Sequence, residues 1–237
     1  MKSMMVEIRQ ALVSNVDEKT KSSSYRFFKK GEAVAVHSVK MGAVNKITKT
    51  FWKKIQQQPK DSIFSLCDKL WQSGYLEEHV VACGLAYELR NQYEPEDLAR
   101  FHSWLKNDVN NWASCNTLCN HTIAAVIEMY PESIASLKKW ALSANRWERR
   151  GAAVTLIIPA RKGLFLSDIF EIANILLLDK DDLVQKGYGW MLKAASEAHQ
   201  QAVFDFVMPH KATMPRTALR YAIEKMPKEL RAEAMKK

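Results

Sequence analysis

Apolar residues recur at helical spacing along most of the chain. The clearest case is residues 40–55, where apolar side chains fall three or four positions apart and predict a helix with one apolar side. That side consists of Val44, Ile47, Phe51, Trp52 and Ile55. Similar patterns predict helices over residues 6–12, 17–28, 61–74, 76–92 and 95–106. Because no segment carries a strand signal, we predict an all-α fold.

From residue 76 onward the predicted helices repeat at a regular interval. Every second helix begins near one of the positions Glu78, Trp112, Trp147, Val184 and Arg216, which lie 32 to 37 residues apart. A period in the thirties with two helices per unit is typical of HEAT-like repeats. We therefore predict a single domain, residues 1–237, built as an α-solenoid of stacked HEAT-like helix pairs with a concave face.

The composition narrows the class of protein further. The chain has 8 glycines and 7 prolines, too few for the many tight turns of an all-β fold. It contains no apolar run of about 18 residues and no apolar core of a secretory signal, so we expect a cytoplasmic protein that does not enter a membrane. We also expect it to act as a monomer.

The four cysteines have no spacing typical of a disulfide framework, and we expect buried or free thiols. Cys115, Cys119 and His121 suggest a metal site, but His121 falls on a different helical side and no second cluster supplies a fourth ligand. Gly187 and Gly189 lack the strand–turn–helix setting of a nucleotide loop. We therefore expect neither a metal nor a cofactor.

Charge is distributed unevenly along the sequence. Of the total of +9, residues 1–70 carry +8, residues 71–135 carry −6 and residues 136–237 carry +7. Two basic flanks fit a surface that binds a polyanion such as nucleic acid, although a merely solvated basic surface has the same composition.

Several helix starts place basic residues beside small ones, as in residues 145–153, 184–190 and 214–220. Helix N-termini and basic side chains together form phosphate sites, which favours contacts with a DNA backbone over arginines and lysines that only extend to solvent. Lys46 shares one helical side with Lys49 and Lys53 and fits the same role. The predicted DNA contacts are Lys46, Arg149, Arg150, Lys186, Arg216 and Arg220.

Three ordered segments carry a family resemblance: residues 112–116 (WASCN), 147–153 (WERRGAA) and 184–190 (VQKGYGW). With these segments the chain resembles the AlkD-like DNA alkylation-repair glycosylases, which are HEAT-like repeat proteins with a basic concave DNA-binding face. The resemblance implies duplex DNA as the partner, in a damaged or distorted form, and excision of cationic N3- or N7-alkylated purines.

The resemblance also implies roles for individual residues. The two tryptophans that face the sugar in the family correspond to Trp112 and Trp190, and the arginine that binds phosphate corresponds to Arg150. A family aromatic residue corresponds to Phe27. Without the resemblance, each tryptophan is more simply interpreted as a core residue.

The family's catalytic aspartate corresponds to Asn116. An asparagine orients water through its amide, but it offers no negative charge to a cationic sugar and no general base. Loss of one preorganised electrostatic group costs on the order of 10²–10³ in rate. Three hypotheses follow: a glycosylase with weakened activity, a non-catalytic binder of damaged, bent or branched DNA, and a protein-binding α-solenoid scaffold.

Overall fold

The structure, a computed structural model, describes residues 2–23, 28 and 34–236. In these residues the regular structure is helical, and the only β pairings are the isolated bridges Val16–Val39 and Ala35–Tyr75. The predicted all-α class is confirmed. The chain divides into two compact units, Met1–Leu118 and Cys119–Lys237. The stacking of the helix pairs into a solenoid and the single domain stay predictions.

Seven α-helices are described in the first unit. They are α1 (Lys2–Val13), α2 (Glu18–Ser23), α3 (Met41–Ile55), α4 (Lys60–Trp71), α5 (Leu76–Glu88), α6 (Asp97–Asn107) and α7 (Trp112–Thr117). The apolar side predicted for α3 is buried at Val44, Ile47, Phe51 and Ile55, whereas Trp52 is half-buried. Helical spacing therefore predicted both the helix and the side that it buries.

Helix α5 lies at the centre of the first unit, where α3, α4 and α7 pack against it. The contact with α3 is close, because a Cβ atom on Gly84 would lie 2.6 Å from Cγ2 of Thr48. The helix predicted to run to residue 92 ends at Glu88. Beyond it the hydroxyl of Tyr93 donates to the carbonyl of Ala86 at 2.7 Å, which satisfies a terminal carbonyl of α5 and lets the chain turn.

Nine α-helices are described in the second unit. They are α8 (Ala124–Met129), α9 (Ile134–Ala141), α10 (Arg146–Val154), α11 (Ile157–Arg161), α12 (Leu166–Leu176), α13 (Asp182–Ala198), α14 (Gln200–His210), α15 (Arg216–Ala222) and α16 (Lys228–Met235). Helix α13 packs against both α10 and α15. The approach to α15 requires Gly189, where a Cβ atom would lie 2.7 Å from Cβ of Tyr221 and 2.8 Å from the carbonyl oxygen of Ala218.

The regular helix starts have local causes. Asn111, Asn145 and Asp181 precede α7, α10 and α13, and each side chain accepts a hydrogen bond from a backbone N–H of the first turn. Asp17 does the same before α2, where bonds from Lys40 and Thr20 lower the pKa of its carboxyl to about 2. Asp17 therefore caps α2.

Two other expectations concern burial and membranes. All four cysteine side chains are buried, as predicted. Among the described residues, every helix is too short or too polar to cross a lipid bilayer.

Candidate functional site

Helix α7 presents the first two candidate residues. Asn111 caps the helix by accepting from the backbone N–H of Ser114 at 2.8 Å, so Trp112 occupies the first helical position. Asn116 follows one turn later, on the same side of the helix. Both side chains are half-buried.

A buried hydrogen-bond chain fixes the start of α7. The amide of Asn111 donates to Oγ of Ser114 at 2.9 Å, and Oγ lies 2.9 Å from Nδ1 of His79. Nε2 of His79 lies 3.0 Å from the carbonyl of Trp71. A carbonyl only accepts, so Nε2 carries the proton and Nδ1 accepts from the serine hydroxyl. Burial lowers the pKa of His79 to about 4, which keeps this arrangement neutral and intact near pH 7.

Trp112 and Asn116 line one cleft of about 560 Å³ in the first unit. Thr20 of α2, Phe28, residues 36–41 and the first turns of α5 complete the lining. Most of these side chains are apolar, among them Val36, Leu76 and Val80. A cleft of this volume and lining is in the range of small-molecule sites. The structure therefore brings together two of the three predicted catalytic residues.

One carboxylate that lines the cleft was not among the site residues predicted from the sequence. Glu77 is 2% exposed, and its oxygens accept from the backbone N–H groups of His37 at 2.8 Å and Val39 at 3.0 Å. Both bonds tie residues 37–39, where Ser38 has a left-handed backbone with φ 64°, to the first turn of α5. Acidic residues in a first helical turn are commonly explained by the helix dipole, so the sequence gives no signal that Glu77 lines a cleft with Trp112.

The neighbouring Glu78 has a different environment. It is fully buried, Arg9 forms a two-pronged ion pair with it at 3.0–3.1 Å, and Nε2 of His37 lies 3.0 Å from its Oε1. Burial alone would raise the pKa of Glu78, but bonds from His37 and Arg9 outweigh it and lower the pKa. Glu78 therefore holds α1 and residue 37 against α5.

In the second unit, Arg150 of α10 is buried against α13. Its Nη1 donates to the carbonyl of Leu183, and its side chain lies against Gly187. A Cβ atom on Gly187 would lie 3.5 Å from Cγ of Arg150, an ordinary van der Waals distance, so this contact does not require glycine. Trp190 is half-buried on α13. On the same helix, Nζ of Lys186 lies 3.4 Å from Oδ2 of Asp182, one turn earlier.

Arg149 is bound within the protein. Its Nε lies 2.6 Å from Asp179, and its Nη1 donates to the carbonyls of Ser143 and Ala144 at 3.0 and 2.9 Å. These bonds hold the connector between α9 and α10 against the residues before α13. The structure thus gives this predicted DNA contact a local architectural role.

The remaining predicted residues lie elsewhere. Lys46 is exposed on α3, and Arg216 and Arg220 are exposed on α15, where Arg216 also donates to the carbonyl of Met235 at 3.4 Å. Phe27 lies outside the described residues.

Comparisons with known proteins bear on the whole chain. The family model for DNA alkylation repair enzymes matches residues 8–226. A solved structure, a predicted DNA alkylation repair enzyme from Enterococcus faecalis, superposes with a TM-score of 0.77 at 17% sequence identity, covering 90% of this chain and 98% of that one. No curated protein matches. The resemblance seen in the sequence is confirmed: the chain belongs to the DNA alkylation repair enzyme family.

Proposed function

We propose that the protein binds duplex DNA and hydrolyses the N-glycosylic bond of cationic N3- and N7-alkylated purines. The observation that carries this proposal is the cleft lined by both Trp112 and Asn116, the positions at which the family resemblance places a sugar-facing aromatic and the residue that holds water.

The chemistry gives Asn116 the role of holding water, without the stabilising charge of an aspartate. When the bond between C1′ and the purine nitrogen breaks, its electron pair neutralises the positive base, and oxocarbenium character develops on the deoxyribose. The face of Trp112 attracts that positive charge. The amide of Asn116 orients a water molecule, whose oxygen bonds to C1′ and whose proton passes to solvent. A base that already carries positive charge leaves without an acid.

The resemblance extends the proposal to the second unit, with Trp190 as a second aromatic and Arg150 as a phosphate contact. Lys46, Lys186, Arg216 and Arg220 are proposed as further contacts with the DNA backbone. Since Arg149 is committed to Asp179 and two carbonyls, we expect Arg149→Ala to lower stability more than DNA affinity.

The test is single-turnover release of base from a duplex with one N7-methylguanine, with protein in excess and spontaneous depurination subtracted. Release above that background, reduced in Trp112→Ala, is expected. A background rate for the wild type, with duplex binding verified in the same sample, would refute excision.

The second candidate is a non-catalytic binder of damaged, bent or branched DNA. The observation in its favour is the uncharged side chain of Asn116 where the family resemblance places aspartate. Asn116→Asp separates the two: a higher rate of base release supports a site built for excision, whereas unchanged duplex affinity without any release supports the binder.

A further inference from the structure

The cleft contains a negative charge that the family resemblance does not assign. We infer that Glu77 supplies the carboxylate that faces the cationic sugar and base, in place of the charge that Asn116 lacks. This inference rests on the proposed function, because it concerns the same cleft and the same cationic substrate.

The first support is position. Glu77 lines the cleft together with Trp112 and Asn116, although 35 residues separate it from Trp112 in sequence. Helices α5 and α7 pack against each other, and the bond between His79 and Ser114 places the start of α5 beside the start of α7. Glu77 therefore lines the same cleft as the two candidate residues, from a neighbouring helix.

The second support is preorganisation. The two carboxylate oxygens accept from the backbone N–H groups of His37 and Val39, and the side chain is 2% exposed. A charge held in this way needs no reorganisation when positive charge develops nearby, which is the condition under which electrostatic stabilisation is most effective. The apolar neighbours Val36, Leu76 and Val80 reduce screening by solvent.

The third support is the charge balance of the wall. Lys40 also lines the cleft, but its ammonium lies 2.8 Å from Asp17, and 64% of its side chain is exposed. Arg9 and His37 bind Glu78, the adjacent carboxylate, which does not line the cleft. Of this pair of glutamates, Glu77 is the one whose charge acts on the cleft.

The experiment uses two duplexes that contain no excisable base at the tested position. One holds a pyrrolidine abasic analogue, which is cationic like the sugar in the transition state, and the other holds neutral tetrahydrofuran. The ratio of the two Kd values measures preference for positive charge. Glu77→Gln is compared with Glu88→Gln, which removes the same charge from the exposed last residue of the same helix. Thermal melts confirm that each variant folds.

We expect the wild type to prefer the pyrrolidine duplex, Glu77→Gln to lose about tenfold or more of that preference, and Glu88→Gln to keep it. An unchanged preference in Glu77→Gln, or an equal loss in Glu88→Gln, would overturn the inference. Neither probe requires base release. A preference that depends on Glu77, together with no excision of N7-methylguanine, would therefore contradict the proposed activity and leave the inference about Glu77 standing.

In Glu77→Gln the amide NH2 group would face a backbone N–H donor, which could disturb the local fold. A second variant therefore tests the inference without changing residue 77. Asn116→Asp adds a second carboxylate to the same cleft, and like charges in one cleft oppose each other, so the second adds less than a first would. The preference should then rise by less than about tenfold. A rise of about 10²–10³ would show that the cleft held no effective charge before the substitution and would overturn the inference.

Discussion

At the scale of single residues, Ser114 determines how α7 begins. Its hydroxyl accepts from Asn111 and donates to His79, and the side chain is fully buried. Ser114→Ala would leave Nδ1 of the buried His79 without its partner and would remove one of the two acceptors of the Asn111 amide. We expect it to lower the free energy of unfolding by about 1–3 kcal/mol. Urea denaturation measures this. Ser65→Ala, which removes an exposed hydroxyl bond on α4, should cost less than about 0.5 kcal/mol. Equal losses of stability in the two variants would contradict the role of the buried hydrogen bonds of Ser114.

His79 makes stability depend on pH. Its folded pKa is about 4, whereas an unfolded histidine titrates near about 6.5. Between these values the unfolded chain binds a proton that the folded chain does not, so the free energy of unfolding falls as pH falls, by up to about 1.4 kcal/mol per pH unit. Above about pH 6.5 this contribution is complete.

Urea denaturation at pH 7 and pH 5 tests this dependence. His79→Gln keeps a donor and an acceptor without a titratable ring, so its stability should differ less between the two pH values. The same slope in both proteins would mean that other groups cause it. The lowered pKa of Glu78 acts at more acidic pH, because its stabilisation is lost only as the carboxylate is protonated.

At the scale of helices, close packing depends on individual glycines. A Cβ atom at Gly189 would meet Tyr221 and Ala218 at less than 3 Å, so α13 and α15 must separate in Gly189→Ala. We expect a loss of about 1–3 kcal/mol in the free energy of unfolding. Gly42→Ala on α3 is the control, because nothing lies within 4 Å of its Cβ position and the substitution should be neutral or stabilising. A neutral Gly189→Ala would show that the contact adapts.

Helix starts were predictable from sequence because caps are local. Asn111, Asn145 and Asp181 are residue types that favour helix caps, and each stands immediately before the observed start of α7, α10 or α13. Trp112 and Asn116 were predictable as a pair for the same reason, since one helical turn relates them. Glu77 was not, because its place in the cleft depends on how α5 packs against α7 and on the amides of residues 37 and 39.

Arg149 shows the converse limit. A basic residue at a helix start predicts a phosphate contact, but the carboxylate of Asp179 lies 30 residues away in sequence and the carbonyls of residues 143 and 144 become acceptors only after the connector folds. The sequence around residue 149 predicted the helix correctly but gave no indication of these hydrogen-bond partners.

At the scale of the whole molecule, the fold persists at 17% identity to the Enterococcus faecalis protein. Such persistence is expected when burial pattern and helix contacts, rather than particular side chains, specify an architecture. Activity requires more, since one substitution at a catalytic position changes the chemistry and leaves the fold intact. Family membership therefore supports a DNA-related role, and the neutral Asn116 makes direct assay of excision necessary.

The net charge of +9 leads to a final prediction about the whole chain. Binding to duplex DNA should weaken steeply with salt, because each neutralised phosphate releases counterions. Replacing the exposed Lys46, Lys49 and Lys53 with glutamine should reduce the slope of log K against log salt concentration by about 2 to 3, if each lysine contacts one phosphate.

The matched control removes three lysines that already pair with carboxylates, Lys54, Lys138 and Lys162, and so lowers the net charge equally. Fluorescence anisotropy across a salt series measures both slopes. Equal effects would mean that total charge governs binding and that α3 is no specific contact. A duplex affinity that ignores salt altogether would favour a scaffold for a protein partner, because a surface that binds phosphates must release ions when it binds DNA.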